Sequence, residues 1–354
     1  ELNFVQQYLD ILKTYWGYDQ FRPLQAEIIQ SITSGRDTLA LMPTGGGKSL
    51  TFQVPAMAME GICIVVTPLI ALMKDQVENL KKQNVSAAAI FSGMTHAEIL
   101  KTLENAVFDA YKFLYVSPER LSTEIFIKKV SQMNVSMIAV DEAHCISQWG
   151  YDFRPSYLRI AEIRSLMPDV PVLALTATAT AEVVDDIQVQ LQFKQKNVFR
   201  KSFHRHNLIY VVRNAENKND QLFKILKSVS GTSVVYVRNR KKTKEIADLL
   251  NQNGIKADYF HAGLKNETKD ERQARWKSNE TRVIVATNAF GMGIDKPDVR
   301  TVVHMDLPDS LEAYFHEAGR AGRDEKKAFA VLLFNKSDET KLRKRIADTF
   351  PPKE

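Results

Sequence analysis

Asp37-Thr38-Leu39-Ala40-Leu41-Met42-Pro43-Thr44-Gly45-Gly46-Gly47-Lys48-Ser49 is the stretch that decides the fold. Its apolar start, 37–43, reads as a strand buried on both faces, and it breaks into three glycines, a lysine and a hydroxyl where a helix should begin. Three glycines let backbone N–H groups curl toward an anion without Cβ obstruction, and the following helix N-terminus adds its positive dipole. In such a phosphate-binding loop Thr44, Gly45, Gly46 and Gly47 cradle phosphate, Lys48 contacts the terminal phosphates and Ser49 ligates Mg²⁺. Met42 stands where the general pattern has glycine, but the strand–loop–helix setting is kept. A glycine-rich turn with a surface lysine is the plainer alternative.

Working outward, Val-, Ile- and Leu-rich runs recur at 62–67, 87–91, 112–117, 137–141 and 171–176. Between them lie stretches of helical spacing such as Leu69, Leu72, Met73, Gln76, Val77 and Leu80. This alternation predicts an α/β lobe with a parallel sheet and crossover helices. A second series at 233–238, 257–260, 282–287, 301–305 and 328–334 predicts a second lobe. Residues 194–213 hold six Lys or Arg and no acid, which suits an exposed basic connector, with the boundary near residue 205.

A length of 354 residues fits two domains of about 150–200 residues each. Hydrophobic and charged fractions of 44% and 25% are those of a globular chain rather than a disordered one. The net charge of +6 suits a polyanion partner without requiring one. Cys63 and Cys145 are the only cysteines, too few for a disulfide framework or a cysteine-rich zinc site, so a reducing, intracellular setting is expected. No run approaches the roughly 18 apolar residues of a membrane span, and no signal pattern follows Glu1, so the chain is expected to be soluble and not exported. Starting at Glu1 and stopping after the charged segment Lys341–Arg345, Pro351 and Pro352, it reads as an excised fragment.

A phosphate loop needs a metal partner, and Met137-Ile138-Ala139-Val140-Asp141-Glu142-Ala143-His144 offers an apolar strand ending in two carboxylates. Asp141 is the expected Mg²⁺ holder and Glu142 the general base that orients the attacking water. With no second histidine at ligand spacing, His144 reads as a hydrogen-bonding link between lobes rather than a metal ligand. Far away, His316-Glu317-Ala318-Gly319-Arg320-Ala321-Gly322-Arg323 places two arginines three apart, read as one face of a helix. Guanidinium groups aimed at a γ-phosphate stabilise the charge that builds in transfer, and supplying them from another lobe makes hydrolysis depend on closure. Arg320 and Arg323 are therefore the arginine-finger candidates.

These motifs occur in the order of a superfamily 2 helicase, and Asp141-Glu142-Ala143-His144 resembles that superfamily's DEAH form. Cys145-Ile146-Ser147-Gln148-Trp149-Gly150-Tyr151-Asp152-Phe153-Arg154-Pro155 resembles the aromatic-rich loop of the RecQ family, and Trp16-Gly17-Tyr18-Asp19-Gln20-Phe21-Arg22-Pro23-Leu24-Gln25 its adenine-reading motif. Thr67-Pro68-Leu69, Ser117-Pro118-Glu119-Arg120, Thr176-Ala177-Thr178 and the segment from Ala286 to Pro297 match as well, so the resemblance spans nearly the whole chain.

The resemblance implies two tandem RecA-like lobes, each a mostly parallel sheet flanked by helices, at 1–205 and 206–354. It implies ATP and Mg²⁺, no zinc in this chain, and 3′ to 5′ movement on single-stranded DNA with unwinding of tailed or forked duplexes. It further implies a monomeric core acting in DNA repair and recombination, in the nucleoid-bearing cytoplasm if bacterial and in the nucleus if eukaryotic. Tyr18 and Arg22 can sandwich an adenine while the Gln25 amide reads its edge. Trp149 and Phe153 offer faces to unstacked bases, worth about 1–3 kcal/mol each, and Arg154 adds positive charge. Arg238 and Asn239 are the candidates for a backbone phosphate. His316 departs from the family's usual glutamine, and the zinc module, winged helix and helical DNA-binding domain of many members lie outside these residues. An RNA remodeller of the DEAD-box class and a non-hydrolysing, nucleotide-locked DNA-binding module are the rival readings.

Overall fold

A computed structural model describes residues 2–43, 47–202, 204–290 and 296–349, with the side chains of 2–4, 346, 348 and 349 left aside. The chain divides into two compact units, one running to residue 203 and one starting at His204.

The first unit is built on β1 (Thr38–Leu41), β2 (Ile62–Val66), β3 (Ala87–Ile90), β4 (Phe113–Val116), β5 (Val135–Val140), β6 (Val172–Thr176) and β7 (Val198–Arg200). They form one sheet in the order β3-β4-β2-β5-β6-β1-β7, and every pairing is parallel. Helices α1 (Leu2–Trp16) and α2 (Gln25–Thr33) precede the first strand, and α3 (Leu50–Ala58), α4 (Ile70–Lys82), α5 (His96–Val107), α6 (Glu124–Val130), α7 (Arg159–Leu166) and α8 (Ala181–Gln190) make the crossovers. The period-2 alternation of a strand sends Leu39, Leu41, Ile62, Ile64 and Val66 into one apolar layer. Ala40, Met42, Cys63 and Val65 go into the layer on the opposite face. Burial on both faces is why these strands are continuous apolar runs.

The second unit contains β8 (Leu208–Asn214), β9 (Thr232–Tyr236), β10 (Ala257–Phe260), β11 (Val283–Ala286), β12 (Val299–His304) and β13 (Ala328–Phe334). Their order is β10-β11-β9-β12-β13-β8, again with parallel pairings throughout. Helices α9 (Lys218–Ser228), α10 (Arg240–Gln252), α11 (Asn266–Lys277), α12 (Leu311–Ala318) and α13 (Lys336–Thr349) complete it.

Two expectations are corrected. Residues 194–213 are not simply a connector: β7 pairs with β1 and β8 with β13, so this basic segment supplies an edge strand to each sheet. Five of the seven residues of β8 are exposed, so its charged side chain Arg213 reaches solvent. The second correction concerns Arg320 and Arg323. The helix α12 stops at Ala318, and both arginines lie in the turn that follows rather than on a helix face. Gly319 caps α12 and weakens its continuation, and Gly322, at φ +64°, keeps the turn from resuming a right-handed helix.

One buried ion pair fixes the start of β1. Arg164 donates from Nη2 to both carboxylate oxygens of Asp37, at 2.9 and 2.8 Å, with both side chains almost fully buried. The same carboxylate accepts from the backbone N–H of Val172 and Lys194, each at 3.0 Å. Its four acceptances tie α7, β6 and the approach to β7 to the strand that leads into the phosphate loop. Among the described residues no helix is long and apolar enough to cross a membrane.

Candidate active site

Within the first unit, the chemistry-bearing residues gather at the carboxyl ends of the strands, where an open parallel sheet binds ligands. Thr44, Gly45 and Gly46 lie outside the described residues. Gly47 has φ +77°, and a Cβ there would come within 2.3 Å of the Gln25 amide nitrogen. That close approach exists because the buried Gln25 donates from Nε2 to the Gly47 carbonyl at 3.0 Å and accepts at Oε1 from the Arg22 N–H at 2.8 Å. Gln25 therefore bolts the segment that holds Tyr18 and Arg22 onto the glycine loop, and keeps one amide hydrogen and one lone pair for a base edge. Tyr18 itself is 52% exposed, with its ring open to a planar partner.

Lys48 and Ser49 lead into α3. Ser49 Oγ accepts from Gln76 Nε2 at 3.3 Å; Gln76 in turn accepts from Gln53 Nε2 at 2.9 Å, which also donates to the Tyr115 hydroxyl at 3.2 Å. This polar chain runs beneath the loop through an otherwise apolar core and orients the hydroxyl of Ser49. The sequence holds one sign of it, since Gln76 falls on the apolar spacing of α4.

Asp141 and Glu142 follow β5 directly. Loss of water and then the neighbouring Glu142 carboxylate push the Asp141 pKa up to about 6, against the opposing pull of Lys48. Crowded carboxylates with a hydroxyl such as Ser49 are the hard oxygen donors that suit Mg²⁺, and a cation there would restore the ionised form. Glu142 has φ +50°, a left-handed backbone that a side chain with a Cβ adopts at a cost of about 1–3 kcal/mol. Its N–H bonds the Asp141 carboxylate at 3.0 Å, and Tyr157, fully buried, donates its hydroxyl to the Asp141 carbonyl at 2.9 Å.

His144 is buried at 2% exposure, and burial depresses its pKa, leaving the ring uncharged near neutral pH. Its Nδ1 lies 2.9 Å from Thr176 Oγ1 and 3.4 Å from Glu142 Oε2. The ring stacks on Tyr151, centroids 4.7 Å apart and planes 15° apart. Tyr151 belongs to the aromatic loop, so His144 joins the Glu142 carboxylate to that loop. Sequence reasoning missed Tyr151, although it lies inside the quoted motif. Trp149 is 77% exposed, while Phe153 is half-buried. Arg154 pairs with Asp152 at 3.1 Å and its N–H bonds the Cys145 carbonyl at 2.8 Å, closing the loop at its base. Ligand atoms of His144, Cys145 and Asp152 lie within 4.8 Å of one another, but the Arg154 guanidinium already occupies the Asp152 carboxylate, and burial pushes the Cys145 thiol pKa up. That cluster reads as hydrogen-bonded.

In the second unit, Arg320 is 8% exposed and donates to the Tyr236 hydroxyl, and no carboxylate among the described residues pairs with it. A buried guanidinium without an acid is costly until an anion meets it. Arg323 lies on the same turn. Glu317, one turn earlier, holds His304 at 2.7 Å instead. Arg238 and Asn239 have structural duties: Arg238 pairs with Asp309 at 2.5 Å, and the Asn239 side chain accepts from the Lys241 N–H at 2.8 Å to cap α10. The matched segment 291–295 lies outside the described residues.

Residues 22–187 match the DEAD/DEAH box helicase family, and residues 217–325 match the helicase conserved C-terminal domain. The chain is 44% identical over 333 residues to the ATP-dependent DNA helicase RecQ of Bacillus subtilis, covering 93% of this chain and 56% of that protein. Against RecQ of Pasteurella multocida it is 41% identical over 349 residues, 98% of this chain and 55% of that one. In fold it resembles Dbp5 of Saccharomyces cerevisiae bound to RNA and ADP BeF3, with TM-score 0.74 and 18% identity over 100% of this chain and 94% of that one. The Mycobacterium smegmatis helicase Lhr bound to ssDNA and AMP-PNP gives TM-score 0.74 at 18% identity, over 92% of this chain and 47% of that one. Fold and site together define the core of a superfamily 2 helicase with a DEAH box. Within that class the chain belongs to the RecQ family. It spans about half the length of the RecQ relatives it matches.

Proposed function

We propose that this chain is the motor core of an ATP-dependent DNA helicase, in which DNA-stimulated ATP hydrolysis drives 3′ to 5′ movement along single-stranded DNA and opens tailed or forked duplexes. The unit that runs to residue 203 acts as the ATP-binding lobe and the unit that starts at His204 as the second helicase lobe. The observation that carries this reading is the continuous path from the hydrolytic carboxylate of Glu142 through His144 to Tyr151 in the loop that displays Trp149. The names of its relatives, 40–44% identical over nine-tenths of the chain or more, support it.

Tyr18, Arg22 and Gln25 hold the adenine; Thr44 to Gly47 cradle the phosphates. Lys48 neutralises the terminal phosphates, and Ser49 and Asp141 hold Mg²⁺, which supplies charge stabilisation to the transferred group. Glu142 orients the attacking water and takes its proton. Arg320 and Arg323 stabilise the charge that grows on the γ-phosphoryl oxygens. Trp149 and Phe153 stack on bases without reading sequence, Arg154 adds charge beside them, and Arg238 and Asn239 face the backbone. The core works as a monomer with no zinc of its own, beside the chromosome in the bacterial cytoplasm or the eukaryotic nucleus.

Strand displacement on 3′-tailed and 5′-tailed duplexes tests this directly. Wild type should open the 3′-tailed substrate in the presence of ATP and Lys48→Ala should open neither; unwinding that needs no ATP would overturn the reading. One relative, 39% identical over 97% of this chain, carries the name putative ATP-dependent RNA helicase, in Acanthamoeba polyphaga mimivirus. That favours RNA as the second reading, and stimulation of hydrolysis by RNA above that by DNA would select it.

A further inference from the structure

The turn that carries Arg320 and Arg323 is held only in part by its own backbone. α12 ends at Ala318, the turn contains two glycines, and the last carbonyls of a helix lack partners within it. Its local backbone bonds run from Gly319 N–H to Phe315 at 2.8 Å, Arg320 N–H to Glu317 at 3.3 Å, Ala321 N–H to Ala318 at 3.1 Å and Glu325 N–H to Gly322 at 3.1 Å, and two reach outside the turn, from Gly322 N–H to the Val299 carbonyl in β12 at 2.8 Å and from Asp324 N–H to the Pro297 carbonyl at 3.0 Å.

Its carbonyls are held from a distant part of the sequence. Arg205 donates from Nη1 to the Gly319 carbonyl at 3.0 Å and from Nη2 to the Gly322 carbonyl. Asn207, 8% exposed, donates from Nδ2 to the Gly322 carbonyl at 2.7 Å and to the Lys326 carbonyl at 2.8 Å. The two side chains therefore span the turn from before Arg320 to beyond Arg323. They also explain Gly322: at φ +64° a Cβ would lie 2.7 Å from the Asn207 amide nitrogen and 2.8 Å from the Ala328 Cβ. Arg205 is the second residue of its unit, so the chain enters the unit through the residues that hold this turn.

We propose that Arg205 and Asn207 are positioning residues for hydrolysis, a clamp that sets where the guanidinium groups of Arg320 and Arg323 point. The proposal rests on the reading of those arginines as γ-phosphate ligands. A planar fork is needed at position 205, because one guanidinium must reach two carbonyls at once; a lysine ammonium is a single point and cannot bridge them in the same way. Misplacing a charge-stabilising group by about an ångström is enough to cost on the order of 10²-fold in rate. Loss of the clamp acts on turnover and leaves nucleotide binding nearly alone, since the Arg205 guanidinium and the Asn207 amide donate to the backbone carbonyls of Gly319, Gly322 and Lys326.

The test is a double-mutant cycle in DNA-stimulated phosphate release, with thermal melting and binding of a fluorescent ATP analogue on each variant. Arg320→Ala comes first and should depress kcat severely; if it does not, the arginine-finger reading fails, and the clamp with it. Given that loss, Arg205→Ala should lower kcat about tenfold or more with nucleotide affinity changed less than about twofold. Arg205→Lys should recover only part of the rate, and it stands in if the alanine variant does not fold. Combining Arg205→Ala with Arg320→Ala and Arg323→Ala should add almost nothing to the loss, because a clamp has no effect without the groups it aims. Full kcat in a normally melting Arg205→Ala protein overturns the clamp while leaving the finger reading intact. So does a loss that multiplies undiminished onto the arginine-free background.

Discussion

The Tyr151 ring lies flat on the His144 ring at 4.7 Å, and the same imidazole has its Nδ1 3.4 Å from Glu142 Oε2. One buried side chain therefore contacts the general base candidate on one side and the aromatic loop on the other. A shift of the loop on binding bases cannot leave the imidazole where it was, and the carboxylate geometry moves with it. Tyr151→Ala removes that stack. Hydrolysis without DNA should persist within about threefold, while the stimulation by single-stranded DNA should fall by about tenfold. Phosphate release with and without DNA reads both; equal loss of the two rates would assign Tyr151 to packing alone.

Lys48 and Glu142 separate binding from chemistry. Lys48→Ala should nearly abolish hydrolysis and spare binding to single-stranded DNA. Glu142→Gln should retain ATP affinity, lose turnover and trap ATP, because the amide keeps the shape but cannot accept a proton. Loss of ATP binding in Glu142→Gln, measured by filter retention, would make the residue a structural support for its strained turn. Chelation of Mg²⁺ should stop wild-type turnover altogether.

Single-stranded DNA affinity should fall as salt rises, with log K dropping by about 0.7 per log unit of salt for each phosphate contact. Stacking leaves a salt-insensitive remainder. Trp149→Ala should remove about 1–3 kcal/mol of that remainder and leave the melting temperature unchanged, since the ring is 77% exposed. An affinity in Trp149→Ala equal to that of wild type at every salt concentration would exclude the ring as a base platform.

The Asp37–Arg164 pair predicts a defect of a different kind. Asp37→Ala strands a buried guanidinium and frees two backbone N–H groups, costing about 3–5 kcal/mol. Unfolding of the first unit should come lower by about 2–4 °C per kcal/mol lost. A calorimetric scan that shows no shift would mean that water replaces the carboxylate.

Much of this molecule is legible in its sequence, and the exceptions have physical causes. Strands with both faces buried stand out as unbroken apolar runs, so β1 to β6 and β9 to β13 can be read close to their observed bounds. β7 and β8 lack that signature: most of their side chains are exposed or half-buried, Arg200 and Arg213 among them, and the two strands read as connector. Arg320 and Arg323 suggest a helix by spacing alone, but Gly319 and Gly322 win, because backbone freedom costs more than side-chain periodicity gains. Lys48, Asp141 and Glu142 are visible because phosphate and metal chemistry demand those groups at strand ends. Partners brought in from afar are not visible: nothing in the local sequence announces that Arg205 grips Gly319, and the place of Gln76 on the apolar spacing of α4 hints at a buried polar role without naming Ser49 as its partner.

The most direct measurement of the central claim is phosphate release by the wild-type chain, with saturating single-stranded DNA, with RNA of equal length and with neither. A low basal rate is expected, with a rise of at least about tenfold on DNA and a smaller one on RNA, all absent in Lys48→Ala. A rate that is the same with and without DNA would contradict it.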